Sequence, residues 1–244
     1  MVHYFCKDFF SPQCCRMTWK QVFSSSIGRK LTMGLTGISL ILFLVVHAGL
    51  NACIWANDGG EMFNRAAHFM GSTIVIRILE VGLFLFFFLH IIQGLALELY
   101  NRTKRGTAYA VNYGSKGSKW YSRSMGLLGT LILLFLILHW IHFWWPSRFG
   151  SVEEVTLSDG KQVHNLYALM QVTFSELWVV IVYVLGCISL GYHLAHGFQS
   201  AFRTLGVHNK RYNLLLTGLG YGFSIIVPLA FALMPVSMYL GWIN

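Results

Sequence analysis

Histidines are the residues whose type and spacing point most directly to chemistry in this sequence. Six of the ten lie within long apolar stretches, at His47, His90, His139, His142, His193 and His196. Ionisable side chains are rare inside membrane-spanning segments and usually mark a functional position there. A single buried histidine is often a neutral imidazole that bonds a neighbouring helix, but four successive stretches each carry at least one. The pattern therefore predicts a shared metal or cofactor.

The elements that must position these histidines are long and apolar. A helix needs about 20 apolar residues to cross ~30 Å of hydrocarbon, and five such stretches occur, at roughly 31–55, 72–100, 124–145, 173–204 and 214–240. Only 11% of the residues are charged, against about 25% in a soluble domain. The apolar runs are continuous rather than alternating, which favours helices over a barrel. The sequence predicts an all-α membrane protein, one domain over residues 1–244 with five transmembrane helices.

Local signals predict three of the helix ends. The serines at Ser24–Ser26 can cap the first span, and Pro146 is expected to close the third. Thr173 and Glu176 form a T-x-x-E capping box at the start of the fourth span.

Basic residues divide unevenly between the two sides of the predicted membrane. Fourteen of the eighteen lysines and arginines lie before span one, between spans two and three, or between spans four and five. Cytoplasmic loops carry such an excess, so the N-terminus is expected in the cytoplasm and the C-terminus outside. The net charge of +9 then follows from topology, and no nucleic-acid partner is needed to explain it. The loops are short and carry no nucleotide-binding motif, which puts the chemistry inside the membrane or in a partner subunit.

Depth sorts the histidines into two layers. At 1.5 Å per residue, His47 and His139 lie ~24 and ~21 Å from the cytoplasmic ends of their spans, while His90 and His196 lie ~15 and ~10 Å from theirs. Facing imidazoles from two helices hold the iron of a six-coordinate b-type haem. The layers predict two stacked haems b, one held by His47 and His139 and one by His90 and His196. Because both axial positions are filled, electron transfer is expected rather than oxygen binding.

Other assignments of the histidines stay open. Residues three apart differ by about 60° around a helix, so His142 and His193 are alternative ligands to His139 and His196. A membrane di-iron hydroxylase would need HxxHH-type boxes, and neither HxxH pair here has a third histidine. A zinc peptidase would need H-E-x-x-H, which is absent. A haem-free transporter with a polar pathway is a further alternative, although no internal repeat is evident.

Five segments resemble one family, the dihaem cytochrome b (b558-type) membrane anchor of succinate dehydrogenase and fumarate reductase, or complex II. They are SSSIGRKLTMGLTG, LVVHAGLN, FLHIIQGLAL, LHWIHFWW and YHLAHGFQSAFRTLG, and the likeness runs from Ser24 to about Gly206. The resemblance implies a multi-pass subunit of the bacterial inner membrane, with a flavoprotein and an iron–sulfur subunit docked on its cytoplasmic face. It also implies electron transfer between succinate or fumarate and a quinone, commonly menaquinone.

Residue roles carry over by motif. The resemblance implies axial ligands at His47, His90, His139 and His196, with His196 favoured over His193 because it precedes glycine. The chain alone is expected to lack dehydrogenase activity, since it has no flavin or substrate site. The direction of the reaction stays open, and so does the question of whether two complexes form a dimer. The alternative identity is a cytochrome b subunit of another respiratory dehydrogenase or reductase.

Polar residues near the span ends are candidates for binding haem propionates or quinone. Ser200 and Arg203 follow His196 by one and two helical turns. They are candidate partners for the propionates of the inner haem, the one nearer the cytoplasm. The alternative for Arg203 is simple anchoring at the membrane surface. Ser25 and Arg29 either line a quinone or propionate site or simply cap and orient the first helix.

Arg77 and Glu80 lie three residues apart in the outer half of the second span. One interpretation is a mutually neutralising pair. The other puts Arg77 on a propionate of the outer haem and Glu80 on a proton path to an outer quinone site.

Overall fold

The structure is a computed structural model that describes residues 25–105, 119–207 and 209–243. Ser24, part of the expected first cap, lies outside these residues. Helices and strands follow in the order α1 (Ser26–Ala52), α2 (Glu61–Ser72), α3 (Ile74–Arg105), α4 (Trp120–Arg123), α5 (Met125–His139), α6 (Trp145–Phe149), β1 (Glu154–Thr156), β2 (Gln162–His164), α7 (Leu166–Phe174), α8 (Leu177–Thr204) and α9 (Lys210–Tyr239). A 3-10 turn, Cys53–Ala56, extends α1, and a π-helical turn, Trp140–Trp144, joins α5 to α6.

Five helical segments of the described chain are long and apolar enough to cross a membrane. They are α1, α3, the continuous α5–α6 segment, α8 and α9. The prediction of five helices that could span a membrane is confirmed at this level, as expected for a multi-pass membrane protein; the short strands β1 and β2 are an addition to the all-α fold that was expected. The orientation stays a prediction, so the two ends are named by their contents. The basic end holds Arg29 and Arg203, and the hairpin end holds β1 and β2.

The first helix begins as the sequence predicts. Ser25 has an extended backbone, and its hydroxyl accepts a hydrogen bond of 3.0 Å from the backbone N–H of Gly28. This bond satisfies one of the backbone donors that the first turn of a helix leaves without a partner. Ser25 therefore caps α1.

The capping box expected at the start of the fourth span is wrong. The Thr173 hydroxyl donates instead to the Leu169 carbonyl at 2.7 Å, inside α7. Glu176 precedes α8 without any side-chain capping bond. The fourth span consequently begins at Leu177, after a separate short helix.

Pro146 does not close the third span, contrary to expectation, because the helix continues to Phe149. The proline lies in the first turn of α6, directly after the π-helical turn. A proline lacks the N–H that would bond the preceding turn and its ring crowds that turn. The wider π turn accommodates this defect, so the segment stays helical.

Helix α8 occupies the centre of the bundle and α3 its periphery. A third of the apolar window of α8 is buried, against none of that of α3. Two apolar clusters hold α8 in place, one around Tyr183 towards the hairpin end and one of Ile41, Leu194 and Phe198 towards the basic end. The exposed apolar side chains of α3 fit the lipid that a spanning helix must face.

A small cap covers the hairpin end, and it was not predicted from the sequence. It consists of α2, the antiparallel pair β1–β2 and α7. Asn64 is 2% exposed; its amide donates to Asn165 Oδ1 at 3.0 Å and accepts from the backbone N–H of Tyr167 at 2.9 Å. These bonds fasten α2 to the start of α7, because breaking them would leave buried polar atoms without partners.

Candidate cofactor site

A cavity of about 2,140 Å³ runs through the bundle. It extends from Lys30 and Arg203 at the basic end to Arg148 and His164 at the hairpin end. The four expected ligand histidines all line it, and so does His193. Pockets for one small molecule commonly measure about 300–1,000 Å³. The cavity therefore has room for more than one large cofactor.

The histidine pair nearer the hairpin end is the one expected from the sequence. The rings of His47 on α1 and His139 on α5 have centres 5.8 Å apart, with their planes at 90°. Phe43 stacks on His47 at 5.1 Å, and Phe135 stacks on His139 at 5.8 Å. The Nδ1 atom of His139 is buried without a hydrogen-bond partner. Two helices thus present facing imidazoles between aromatic neighbours.

The pair nearer the basic end differs from the expected one. His90 on α3 faces His193 on α8, with ring centres 6.2 Å apart and planes at 68°. His196 instead turns to α4, where its Nδ1 lies 2.8 Å from the Ser122 hydroxyl oxygen. Because residues three apart differ by about 60° around a helix, the two histidines reach different neighbours. The structure brings His90 together with His193 rather than with His196.

His142, the other alternative ligand, contacts Tyr183 on α8 and does not line the cavity. Its Nδ1 lies 3.0 Å from the Tyr183 hydroxyl, and the two rings stack at 5.9 Å. His142 is not among the residues that line the cavity, whereas His139 is. The π-helical turn begins directly after His139 and contains His142. His139 is therefore the histidine of this pair that faces His47.

Glycines keep parts of the cavity wall flat. A Cβ atom added to Gly197 would meet nothing within 4 Å, and one added to Gly94 would meet only the end of Met33, at 3.9 Å. Both glycines line the cavity. Gly34 also lines the cavity, but it has less free space around it, since its Cβ would lie 3.4 Å from Thr204 on α8. Gly94 and Gly197 thus leave room for a planar group close to the backbone.

The basic end of the cavity carries the expected polar residues of α8. Ser200 and Arg203 both line it, together with Lys30 on α1 and Arg123 on α4. A negatively charged group at this end would meet several cations at once. This arrangement suits the propionates of a haem.

Ser25 and Arg29 lie elsewhere, and neither lines the cavity. Ser25 caps α1. The guanidinium of Arg29 lies over the ring of Tyr100, 5.0 Å from its centre, a distance at which cation–π attraction operates. Their positions match the capping and orienting roles considered from the sequence.

At the hairpin end Glu80 is held by several donors. Arg77 Nη1 donates to it at 2.9 Å, Trp144 Nε1 at 2.9 Å and Arg148 Nη2 at 3.2 Å. The arrangement matches the neutralising pair considered from the sequence, enlarged by a second arginine. Arg77 lines a separate groove of about 360 Å³, while Arg148 lines the main cavity.

Arg148 is a site residue that sequence reasoning missed. A helix that ended at Pro146, as the sequence predicts, would leave Arg148 in the loop that follows the third span. Once the helix continues, Arg148 lies on the same segment as His139 and reaches the cavity. An arginine two residues after a proline gave no separate signal.

The two histidine pairs fit haem iron. Imidazoles that bind one first-row metal from opposite sides, at about 2 Å per bond, have ring centres roughly 6 Å apart. Within residues 25–105, 119–207 and 209–243 no group of three or more histidine, cysteine or carboxylate side chains can hold a metal ion. Pairs suit a metal whose other four ligands come from a macrocycle. Models of known protein families, curated proteins and solved structures give no match to this chain.

Proposed function

We propose that the chain is the membrane anchor and electron-transfer subunit of a succinate:quinone oxidoreductase or quinol:fumarate reductase. In this role it passes electrons between an iron–sulfur subunit and a membrane quinone through two bis-histidine haems b. The observation that carries the proposal is the presence of two facing imidazole pairs, with ring centres 5.8 and 6.2 Å apart, along one cavity. Bound haem supplies one-electron redox chemistry, and paired imidazoles leave its iron no open position.

His47 and His139 bind the outer haem iron in this proposal, and His90 and His193 bind the inner one. His193 replaces the His196 favoured by the resemblance, since His193 is the ring that faces His90. His196 then supports the site from the side, through its contact with Ser122.

Basic and hydroxyl side chains at the two ends of the cavity bind the propionates. Arg203 and Ser200, with Lys30 beside them, serve the inner haem at the basic end. Arg148 serves the outer haem in place of Arg77, because Arg148 is the arginine that lines the cavity there. Its bond to Glu80 orients the guanidinium.

The basic end is proposed to face the cytoplasm and to carry the flavoprotein and iron–sulfur subunits. The chain then lies in a bacterial inner membrane, surrounded by lipid, and exchanges electrons with menaquinone or another quinone. Support comes from the excess of basic residues on one side of the five spans. The same charges suit a docking surface for partner subunits.

The decisive experiment is a haem-to-polypeptide ratio on purified protein, with a dithionite-reduced minus oxidised spectrum. Two b haems per chain with a low-spin spectrum are expected. One haem would mean that one histidine pair is misassigned. A well-folded preparation without haem would overturn the proposal and favour a transporter.

A second measurement separates complex II from other respiratory enzymes with a cytochrome b. In the intact complex, succinate is expected to reduce the haems, or fumarate to oxidise them. Haems that respond to neither compound would assign the subunit to another dehydrogenase or reductase.

A further inference from the structure

The Thr36 hydroxyl makes a directional contact with one ligand histidine. Its oxygen, on α1, lies 3.1 Å from Nδ1 of His90 on α3. Thr36 is 3% exposed, and its hydroxyl donates to the backbone carbonyl of Thr32 at 2.7 Å. A hydroxyl has one proton and two lone pairs. With that proton committed to Thr32, the oxygen accepts from His90, so Nδ1 of His90 carries a hydrogen.

This bond fixes the chemical form of the imidazole. A neutral imidazole has one N–H and one nitrogen lone pair. With the hydrogen on Nδ1, the lone pair is on Nε2. We propose that Thr36 is a positioning residue that holds His90 in this tautomer, so that Nε2 binds the inner haem iron. The inference rests on the proposed function and adds a residue that does not itself touch the haem.

The same bond tunes the electronic character of the ligand. A hydrogen-bond acceptor on the far nitrogen makes a ligating imidazole more basic. A more basic ligand stabilises ferric iron more than ferrous iron, because the ferric ion carries the greater positive charge. Thr36 therefore lowers the midpoint potential of the inner haem relative to a site without the hydroxyl.

The other paired histidines of the described chain have different surroundings. The Nδ1 atom of His47 lies 3.4 Å from the Asn51 amide nitrogen, which is a donor. The Nδ1 atoms of His139 and His193 are buried without a hydrogen-bond partner. The influence of Thr36 is thus confined to the inner haem, and the outer haem serves as an internal reference.

The test is a redox titration of both haems in the purified protein with three variants. Thr36→Val removes the hydroxyl, and Thr36→Ser keeps it. Thr32→Val is the matched control, since the Thr32 hydroxyl donates to the Gly28 carbonyl at 3.0 Å on the same helix. We expect Thr36→Val to raise one midpoint potential, by about 59 mV for each tenfold loss of ferric preference. Thr36→Ser and Thr32→Val should leave both potentials close to wild type.

Further outcomes separate this inference from the proposed function. Loss of one haem in Thr36→Val, with two retained in Thr36→Ser and Thr32→Val, also supports the positioning role. Two unchanged potentials in Thr36→Val, or equal shifts of both, would overturn it. A serine variant that behaves like the valine variant would overturn it as well. Absence of haem from the wild-type protein would instead overturn the proposed function.

Discussion

His90 and His193 face each other across the cavity, with ring centres 6.2 Å apart and planes at 68°. The pairing joins the peripheral helix α3 to the central helix α8. It also frees His196, one helical turn further along α8, to contact Ser122 on α4. Two histidines three residues apart thus connect α8 to two different neighbours.

Replacing each of these histidines separately tests the pairing. We expect His193→Ala to bind one haem per chain instead of two, because His90 loses the ring that faces it. His196→Ala should retain two, since it loses only the bond to Ser122. The haem-to-polypeptide ratio measures both variants. The reverse result would restore the pairing of His90 with His196 that the sequence favoured.

Filling the flat wall of the cavity tests whether a macrocycle lies there. Leucine at Gly197 would enter the cavity, whereas leucine at Gly218 would face the outside of the bundle; neither new Cβ would meet an atom within 4 Å. We expect Gly197→Leu to lose a haem and Gly218→Leu to keep two. Both variants should fold, since leucine favours a helix more than glycine by about 1 kcal/mol. Two haems with unaltered spectra in Gly197→Leu would contradict the prediction.

The five spans could be predicted because each is a continuous apolar run, a signal that needs no knowledge of neighbours. The pairing of His47 with His139 followed from their similar depth. Depth could not decide between His193 and His196, because three residues differ by only ~4.5 Å along a helix. Which of them faces α3 depends on the rotation of α8 against its neighbours.

The hairpin end was predicted least well. Its cap is built from elements of 3 to 12 residues, too short for a clear periodic pattern. Arg148 lines the cavity because the helix continues through a π-helical turn, and no residue pattern predicted that turn. The apparent capping box also failed, because Thr173 lies within helix α7 and its hydroxyl bonds the Leu169 carbonyl of the same helix.

Glu80 is expected to support structure rather than to transfer protons. Its side chain is 19% exposed and accepts hydrogen bonds from Arg77, Arg148 and Trp144. Glu80→Gln removes the charge that balances two arginines, so we expect a loss of about 1–3 kcal/mol in the free energy of unfolding. Quinone turnover by the intact complex should remain unchanged, because the amide oxygen of a glutamine can still accept the hydrogen bond that orients Arg148.

Glu98→Gln provides the control for Glu80→Gln. Glu98 pairs with Arg102 four residues along α3, and the Arg102 side chain is 69% exposed. Such exposed pairs contribute about 0.3–0.5 kcal/mol, so thermal unfolding in detergent should separate the two variants. A fall in quinone turnover without a loss of stability in Glu80→Gln would instead support the proton path.

The cap at the hairpin end should loosen in acid. Arg65 bonds Glu61 at 2.8 Å and Asp159 at 2.5 Å. The pKa of Glu61 is lowered from 4.5 by hydrogen bonds from Ser158 and Arg65, and the pKa of Asp159 is lowered from 3.8, chiefly by Arg65. The pKa values of the two carboxyl groups in the folded protein lie below their ordinary values. These bonds therefore stabilise the cap fully at any pH above the ordinary pKa values. Their contribution disappears as the pH falls through the lowered pKa values.

Hydrogen exchange of the β1–β2 amides, corrected for intrinsic exchange rates, measures this loosening between about pH 6 and pH 3, a range that brackets the ordinary carboxyl values. The opening free energy of the wild-type cap should fall towards the acid end of the range. Arg65→Met should start lower and change less with pH, because it removes the cation that Glu61 and Asp159 share. Equal pH profiles for the two proteins would show that Arg65 does not couple the charge of these carboxylates to folding of the cap.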